Sequence, residues 1–333
     1  MMMPSTSRPG RRTILRGLAA TAAGAVLRVP IRASAGAPLT RFGVISDVHQ
    51  DIVPDGVERI RAFVAAMTAA KADFIVQLGD FCIPKDANRT FLAEWNRFAG
   101  PRFHVIGNHD MDGGFTREQV ASFLGMPARH YTFDGGAFTG VVLDGNEPGG
   151  RATGYARFIG AEQQAWLERT LMAAPGPVMV FVHQPVEADF GVENGAEVRA
   201  ILERVETAHP GRILATIAGH LHVDYVQTTG RLPYLQINSA SYYWLGEAGA
   251  RSGLFPAEVE ARRPNLKYVA AYRDPLWALV EVDPGAGELR VRGRATPWVG
   301  PAALDRAPLL DRSNREDIRP AISDRRIARR FLG

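Results

Sequence analysis

Gly107-Asn108-His109-Asp110 sets an amide, an imidazole and a carboxylate side by side, directly after an apolar run (residues 103–106) that reads as a strand. The glycine permits a sharp backbone turn. The Asn carbonyl oxygen can ligate a metal, and a His can carry a proton near neutral pH. An Asp can accept a hydrogen bond from that His and hold its ring. Alone, the tetrapeptide fits a polar turn as well as a site. Its weight comes from four further clusters: Asp47-Val48-His49, Asp80 after Gly79, His183, and His220-Leu221-His222. With His109, five of the eight histidines lie in the five clusters. His104, His130 and His209 follow no strand in this way and read as structural or surface residues. Mixed nitrogen and oxygen donors suit Zn, Mn, Fe or Co better than Ca or Mg alone. Two such ions about 3.5–4 Å apart can hold both the attacking and the leaving oxygen of a phosphoryl displacement and activate a water. A pair needs a bridging carboxylate, and Asp80, alone at its strand end, is the natural bridge.

The elements that must position these residues follow from hydrophobic periodicity. Strands are expected over residues 41–46, 74–78, 103–106, 178–182 and 213–218, and each runs directly into one of the clusters. Continuous apolar runs of this kind indicate sheets buried on both faces. Apolar residues at Val57, Ile60, Val64 and Met67 keep a helical period over 56–70, with Asp55 as the expected N-cap. Further helices are expected over 91–98, over 161–173, and over 196–208 with Asn194 near its cap. Thr116 to Gln119 reads as a capping box for a helix ending at Leu124. A hairpin joins 131–133 to 138–143, and beyond residue 219 strands dominate (225–229, 234–238, 276–282, 289–292). Alternating β and α segments give an α/β layered fold in one domain. In such sheets ligands gather beyond the carboxyl ends of the strands, where all five clusters lie.

The formal charge of +4 is carried by the N-terminus: residues 1–35 hold six arginines and no acid, and without them the charge is −2. A near-neutral body leaves no nucleic-acid footprint. Residues 1–35 read as an address. Arg11-Arg12 resembles a twin-arginine export motif, an alanine- and glycine-rich apolar run follows, and Ala33-Ser34-Ala35 provides a cleavage site before Gly36. The expectation is a signal peptide over 1–35, a catalytic domain over 36–300, and a basic tail over 301–333 packed on the body's surface. The export machinery is a partner on this reading, and the destination is the periplasm or the medium. The apolar run is shorter than the roughly 20 residues needed to span a bilayer, so no transmembrane segment is expected in the mature chain. Cys82 is the single cysteine, which excludes an internal disulfide, and it reads as a small buried hydrophobe.

The ordered set D-x-H, G-D, G-N-H-D, H and G-H-x-H, spread over roughly residues 40–240, resembles the calcineurin-like metallophosphoesterase superfamily. The resemblance implies two facing mixed β-sheets flanked by helices, a four-layer αββα sandwich. It implies that Asp47, His49 and His222 bind one divalent ion, that Asn108, His183 and His220 bind the other, and that Asp80 bridges them. It implies that His109 is no ligand but faces the substrate and stabilises or protonates the leaving oxygen, with Asp110 orienting it. A purple acid phosphatase carries a tyrosine three residues after the bridging Asp, where this chain has Ile83. The protein-phosphatase branch carries an arginine before its G-N-H motif, where this chain has Ile106. The remaining resemblance is to the bacterial cyclic-nucleotide and glycerophosphodiester phosphodiesterases.

The expected activity is therefore hydrolysis of a small phosphate ester, a diester first, with a phosphomonoesterase as the alternative and a non-catalytic metal-binding protein as a third reading. Substrate choice is expected in the loops at 145–158 and 187–195, where Arg151 and Arg157 either meet a phosphate or are simply solvated. Ser241-Tyr242-Tyr243-Trp244 either stacks a base, covers a lipid tail, or packs as aromatic core. Metal identity, natural substrate and oligomeric state have no signature in the sequence.

Overall fold

The computed structural model describes residues 39–307 and 315–329. The leader expected over 1–35 lies outside them. In chain order the strands are β1 (Thr40–Ile45), β2 (Phe74–Gln77), β3 (Arg102–His104), β4 (Tyr131–Asp134), β5 (Thr139–Val142), β6 (Val178–Val182), β7 (Ile213–Ala218), β8 (Tyr225–Thr229), β9 (Leu232–Gln236), β10 (Tyr242–Trp244), β11 (Val269–Ala271), β12 (Ala278–Asp283), β13 (Glu288–Arg292), β14 (Arg294–Ala295), β15 (Ala321–Ile322) and β16 (Arg325–Ala328). The longer helices are α1 (Gly56–Ala69), α2 (Arg89–Trp95), α3 (Arg117–Leu124), α4 (Ala161–Ala173) and α5 (Gly195–Ala208).

Two six-stranded sheets form, in the orders β16-β13-β12-β1-β2-β3 and β4-β5-β6-β7-β9-β8. The first sheet is parallel through β1-β2-β3 at one edge and antiparallel through β12, β13 and β16, whereas the second has a parallel centre (β5-β6-β7-β9) with antiparallel β4 and β8 at its edges. Side chains alternate across a strand, and the core follows that alternation. Phe42 and Val44 of β1, Phe74 and Val76 of β2, and Val280 and Val282 of β12 join Met179 and Phe181 of β6 and Ile217 of β7 in one buried cluster. The two sheets therefore face each other. On the outer side of the first sheet, Ile45 and Ile75 pack with Ile60 and Phe63 of α1, Trp95 of α2 and Val120 of α3. On the outer side of the second, Val141, Val178 and Val180 pack with Leu167 of α4 and Val198 and Leu202 of α5. The result is the helix-sheet-sheet-helix sandwich.

Local signals are realised unevenly. The capping box at α3 is complete: Thr116 accepts from the Gln119 N–H, and the Gln119 side chain accepts from the Thr116 N–H. Asp55 precedes α1 but makes no cap; its carboxylate accepts from Arg59 Nε at 2.8 Å instead. Asn194 likewise makes no cap bond to α5 and accepts from the Ile159 N–H at 3.1 Å. The larger difference lies at the C-terminus. The segment expected as an irregular basic tail on the surface supplies β16, which pairs antiparallel with β13 as an edge strand, and β15, which pairs with β14. Edge strands are half exposed and tolerate charge, so Arg325 and Arg326 hid the strand from an apolar-run reading. No helix among the described residues is long and apolar enough to cross a membrane.

Candidate metal centre and active site

Five strands aim their carboxyl ends at one place. The chain leaves β1 into Asp47 and His49, β2 into Asp80, β3 into Asn108 and His109, β6 into His183, and β7 into His220 and His222. The turns are tight enough to force unusual backbone. Among the described non-glycine residues, positive φ occurs at Asp47, His49, Asp80, His220, His222 and Lys71. Five of these six belong to the clusters, and each costs of order 1–3 kcal/mol. Left-handed backbone favours Asp and His over bulkier residues, so the ligand types and the turn geometry agree. Two glycines make the close approach possible. Gly79 has a φ of +100°, and a Cβ there would lie 2.7 Å from the Gly107 nitrogen. A Cβ on Gly107 would run into the backbone and carboxylate of Asp80.

Two groups result, each with its ligand atoms within 4.8 Å of one another: Asp47, His49 and His222, and Asp80, His183 and His220. His222 Nε2 lies 3.2 Å from Asp47 Oδ1 and 3.2 Å from His49 Nε2. In the second group His183 Nε2 lies 3.2 Å from Asp80 Oδ2 and 3.1 Å from Asn108 Oδ1. Asp80 Oδ2 is also 3.6 Å from His49 Nε2, so this carboxylate faces both groups. Six of these seven side chains are buried, and His220 is half-buried.

The outer contacts fix which nitrogens are free. His183 Nδ1 donates to Leu78 O at 2.8 Å, and His222 Nδ1 donates to Tyr242 O at 2.8 Å. Each ring then presents Nε2 to the site, the arrangement expected of a metal-ligating imidazole. Asp47 accepts from the His220 N–H at 3.0 Å and from the Ser46 hydroxyl, and Asp80 accepts from the His109 N–H at 2.7 Å.

The electrostatics favour a cation. Burial alone would raise the Asp47 carboxyl, but neighbouring His222 outweighs it and holds it at about 2. Burial pushes His220 down to about 3 and His49 well below its usual value, leaving both neutral and free to donate lone pairs. Burial should lower His183 too, yet the Asp80 charge beside it lifts it to about 9. A site that holds a proton so firmly on a buried imidazole has the field to hold a metal ion in its place. The oxygen and nitrogen donors, their closeness and their ionisation fit two divalent cations.

His109 stands apart from both groups. Its ring is 5.2 Å from that of His49, and its side chain is 34% exposed. Its Nδ1 lies 2.8 Å from Asp112 Oδ2, and the Tyr155 hydroxyl donates to Asp112 Oδ1 at 2.8 Å while lying 3.0 Å from His109 Nδ1. Burial lowers the His109 pKa, but Asp80 and Asp112 outweigh it, and the net displacement is upward.

Asp110, expected to orient His109, does something else. It is fully buried and accepts the N–H groups of Phe81 at 2.6 Å, Cys82 at 2.9 Å and Gly107 at 2.8 Å. It stitches the turn after β2 to the turn after β3, and burial with the nearby Asp80 charge pushes its carboxyl up to about 7. The partner of His109 is Asp112, which sequence reading missed. The signal was spacing: His109–Met111 form a 3₁₀ turn, in which side chains at i and i+3 eclipse. Tyr155, from the glycine-rich loop, had no local signal.

The remaining candidates divide. Arg157 donates to Gly191 O at 2.7 Å and so braces a loop, while the Arg151 side chain is exposed. Tyr242 and Tyr243 are buried, whereas Trp244 is exposed. Cys82 is buried, and burial and Asp110 keep its thiol protonated. His104 is buried beside α2, and His130 packs on Trp166 with ring centroids 4.6 Å apart.

The sequence profile of the calcineurin-like phosphoesterases matches residues 40–224. The chain is 32% identical over 139 residues to the manganese-dependent ADP-ribose/CDP-alcohol diphosphatase of Arabidopsis thaliana, covering 32% of this chain and 43% of that protein. Its counterpart in Oryza sativa subsp. japonica is 34% identical over 125 residues, covering 31% and 38%. The match thus spans less than half the length of these curated relatives. In fold, the chain is similar to a dimetal phosphatase from Danio rerio, with a TM-score of 0.55 and 17% identity, covering 78% of this chain and 98% of that one.

Proposed function

Because the chain belongs to the calcineurin-like phosphoesterase family, a family of hydrolases acting on phosphoric ester bonds, we propose that it is an exported, dinuclear phosphodiesterase that cleaves nucleoside diphosphates linked to a sugar or alcohol. The observation that carries the proposal is the shared centre: two ligand groups, with Asp80 facing both, beside a histidine that belongs to neither. The names of the plant relatives support the substrate class. Asp47, His49 and His222 would hold one cation and Asn108, His183 and His220 the other, with Asp80 between them. Cations held there would supply Lewis acidity for a water nucleophile and neutralise charge on the phosphoryl oxygens.

The chain's own residues account for the rest. The water oxygen bonds to phosphorus and gives up one proton to solvent, from which His109 is later reprotonated, and the bond from phosphorus to the leaving oxygen breaks. His109 gives the Nε2 proton to that oxygen, because its Nδ1–H is committed to Asp112. The Asp80 and Asp112 carboxylates displace the His109 pKa upward, in the direction that favours the protonated ring. Tyr155 holds the other Asp112 oxygen and limits rotation of the pair.

Protein recovered from the periplasmic fraction, beginning near Gly36, is expected to hydrolyse ADP-ribose and CDP-choline with Mn²⁺, releasing AMP and CMP. It is expected to prefer bis(4-nitrophenyl) phosphate to 4-nitrophenyl phosphate. A clear monoester preference would replace this reading with a phosphomonoesterase. No turnover of any of the four by metal-loaded protein would leave the non-catalytic reading.

A further inference from the structure

A single exposed hydrophobic side chain is ordinary, so a use for one has to be argued from where it stands. Among the described residues the exposed large hydrophobics are Tyr155, Met172, Phe190 and Trp244. Tyr155 is explained by its bonds to His109 and Asp112. Trp244 has no role in the machinery described so far, yet its position is tied to that machinery. In β10 alternate residues share a face, so Trp244 projects on the same side as Tyr242. Tyr242 is buried, with its ring 4.9 Å from those of both His49 and His222, and its carbonyl oxygen accepts from His222 Nδ1. Trp244 stands two residues further out, its ring 6.4 Å from that of Tyr242, and is 45% exposed. Its indole is braced by Tyr268 at 5.8 Å, and Lys267 Nζ lies 4.8 Å from the Tyr268 ring.

We infer that Trp244 is the platform on which the base of a nucleotide substrate stacks while its phosphate lies at the metal centre; the inference rests on the proposed substrate class. One sugar unit separates phosphate from base, and one strand repeat separates the ring against the ligands from the ring in solvent. A flat, rigid, braced indole suits a flat base. An acyl chain would need a continuous apolar channel, but after Leu245 the chain passes to Gly246 and to exposed Glu247 and Ala248. The Lys267 ammonium is a further feature that suits an anionic nucleotide.

Isothermal titration of the Mn²⁺-loaded protein with AMP and with ribose 5-phosphate isolates the base. Stacking of one base on one aromatic ring corresponds to about 5- to 150-fold in affinity. The wild type is expected to bind AMP at least fivefold more tightly than ribose 5-phosphate. Trp244→Ala should bind the two equally, Trp244→Phe should keep most of the preference, and ribose 5-phosphate should bind all three proteins alike. An AMP preference that survives in Trp244→Ala, or is missing from the wild type, would overturn the inference. Because the readout is binding, it separates from the functional reading. A wild type inert toward ADP-ribose but selective for AMP through Trp244 would sink the function and keep the platform. Hydrolysis of ADP-ribose with an unchanged AMP preference in Trp244→Ala would do the reverse.

Discussion

Asp110 and Asp112 show how far neighbouring residues can diverge in role. The first is next to His109 in sequence, yet its side chain turns inward to three backbone N–H groups. The second lies one 3₁₀ turn on and reaches the imidazole. Asp112→Asn is therefore expected to keep both metals and to lower turnover by up to the roughly 10²- to 10⁴-fold that a positioned general acid supplies. The loss should be larger for an alcohol or phosphate leaving group than for 4-nitrophenol, whose departure needs little proton assistance. Asp110→Asn should instead lower the melting temperature with no such dependence on leaving group. If the leaving-group signature appeared in Asp110→Asn and not in Asp112→Asn, Asp110 and not Asp112 would be the partner of His109. At this scale the donor types were legible, since Asp, His and Asn in left-handed turns at strand ends satisfy both backbone and chemistry. Which carboxylate serves which imidazole was not, because that depends on side-chain direction within a turn.

The elements carried most of their own signal where they were apolar and central. β2, β6 and β7 are continuous buried runs and lie within a residue of where hydrophobic pattern places them. The pattern failed at the edges. β16 is charged and alternates between partial and full exposure, so its membership of the first sheet comes from pairing with β13 and from long-range polar contacts. The chief contact is Asp224, two residues beyond His222 and buried. Its Oδ2 accepts from Arg319 Nη2 at 3.1 Å, Arg325 Nη2 at 2.9 Å, and the Ser323 N–H and hydroxyl at 3.0 and 2.7 Å. The C-terminal segment is thus clasped to the connection that bears two ligands. Removing one member of a buried pair costs roughly 3–5 kcal/mol, and the partial exposure of both arginines reduces this. Asp224→Ala should therefore destabilise the protein by about 1–3 kcal/mol and make the segment after Ile318 the first site of limited proteolysis. An unchanged melting temperature and cleavage pattern would mean that strand pairing alone holds the segment.

Across the whole molecule, the two sheets meet through an apolar layer whose aromatic contacts cross between them, such as Phe74 with Phe133 at 5.5 Å and Phe42 with Phe181 at 6.0 Å. A polar joint interrupts that layer. The Tyr131 hydroxyl, from the second sheet, accepts from the His104 N–H at 3.0 Å and donates to the His104 carbonyl at 2.9 Å, in the first. The His104 side chain points away among Phe81 and Trp95, where Gln77 Nε2 donates to its Nδ1 at 3.1 Å. Burial, aided by the Arg102 charge, pushes this imidazole down to about 3 from 6.5. The folded state therefore keeps His104 neutral where the unfolded chain would protonate it. With the folded value below the unfolded one, the unfolded state binds more protons between the two, and stability falls as pH falls. The contribution is whole above pH 6.5 and erodes toward pH 3, reaching a loss of about 2 kcal/mol near pH 5. His104→Gln keeps a polar group for Gln77 and cannot titrate. Chemical denaturation at pH 7.5 and pH 5 should show the wild type losing about 2 kcal/mol more than this variant. The metal ligands titrate in both proteins and cancel in the comparison, so parallel losses would show that the joint between the sheets is not where acid first weakens the sandwich.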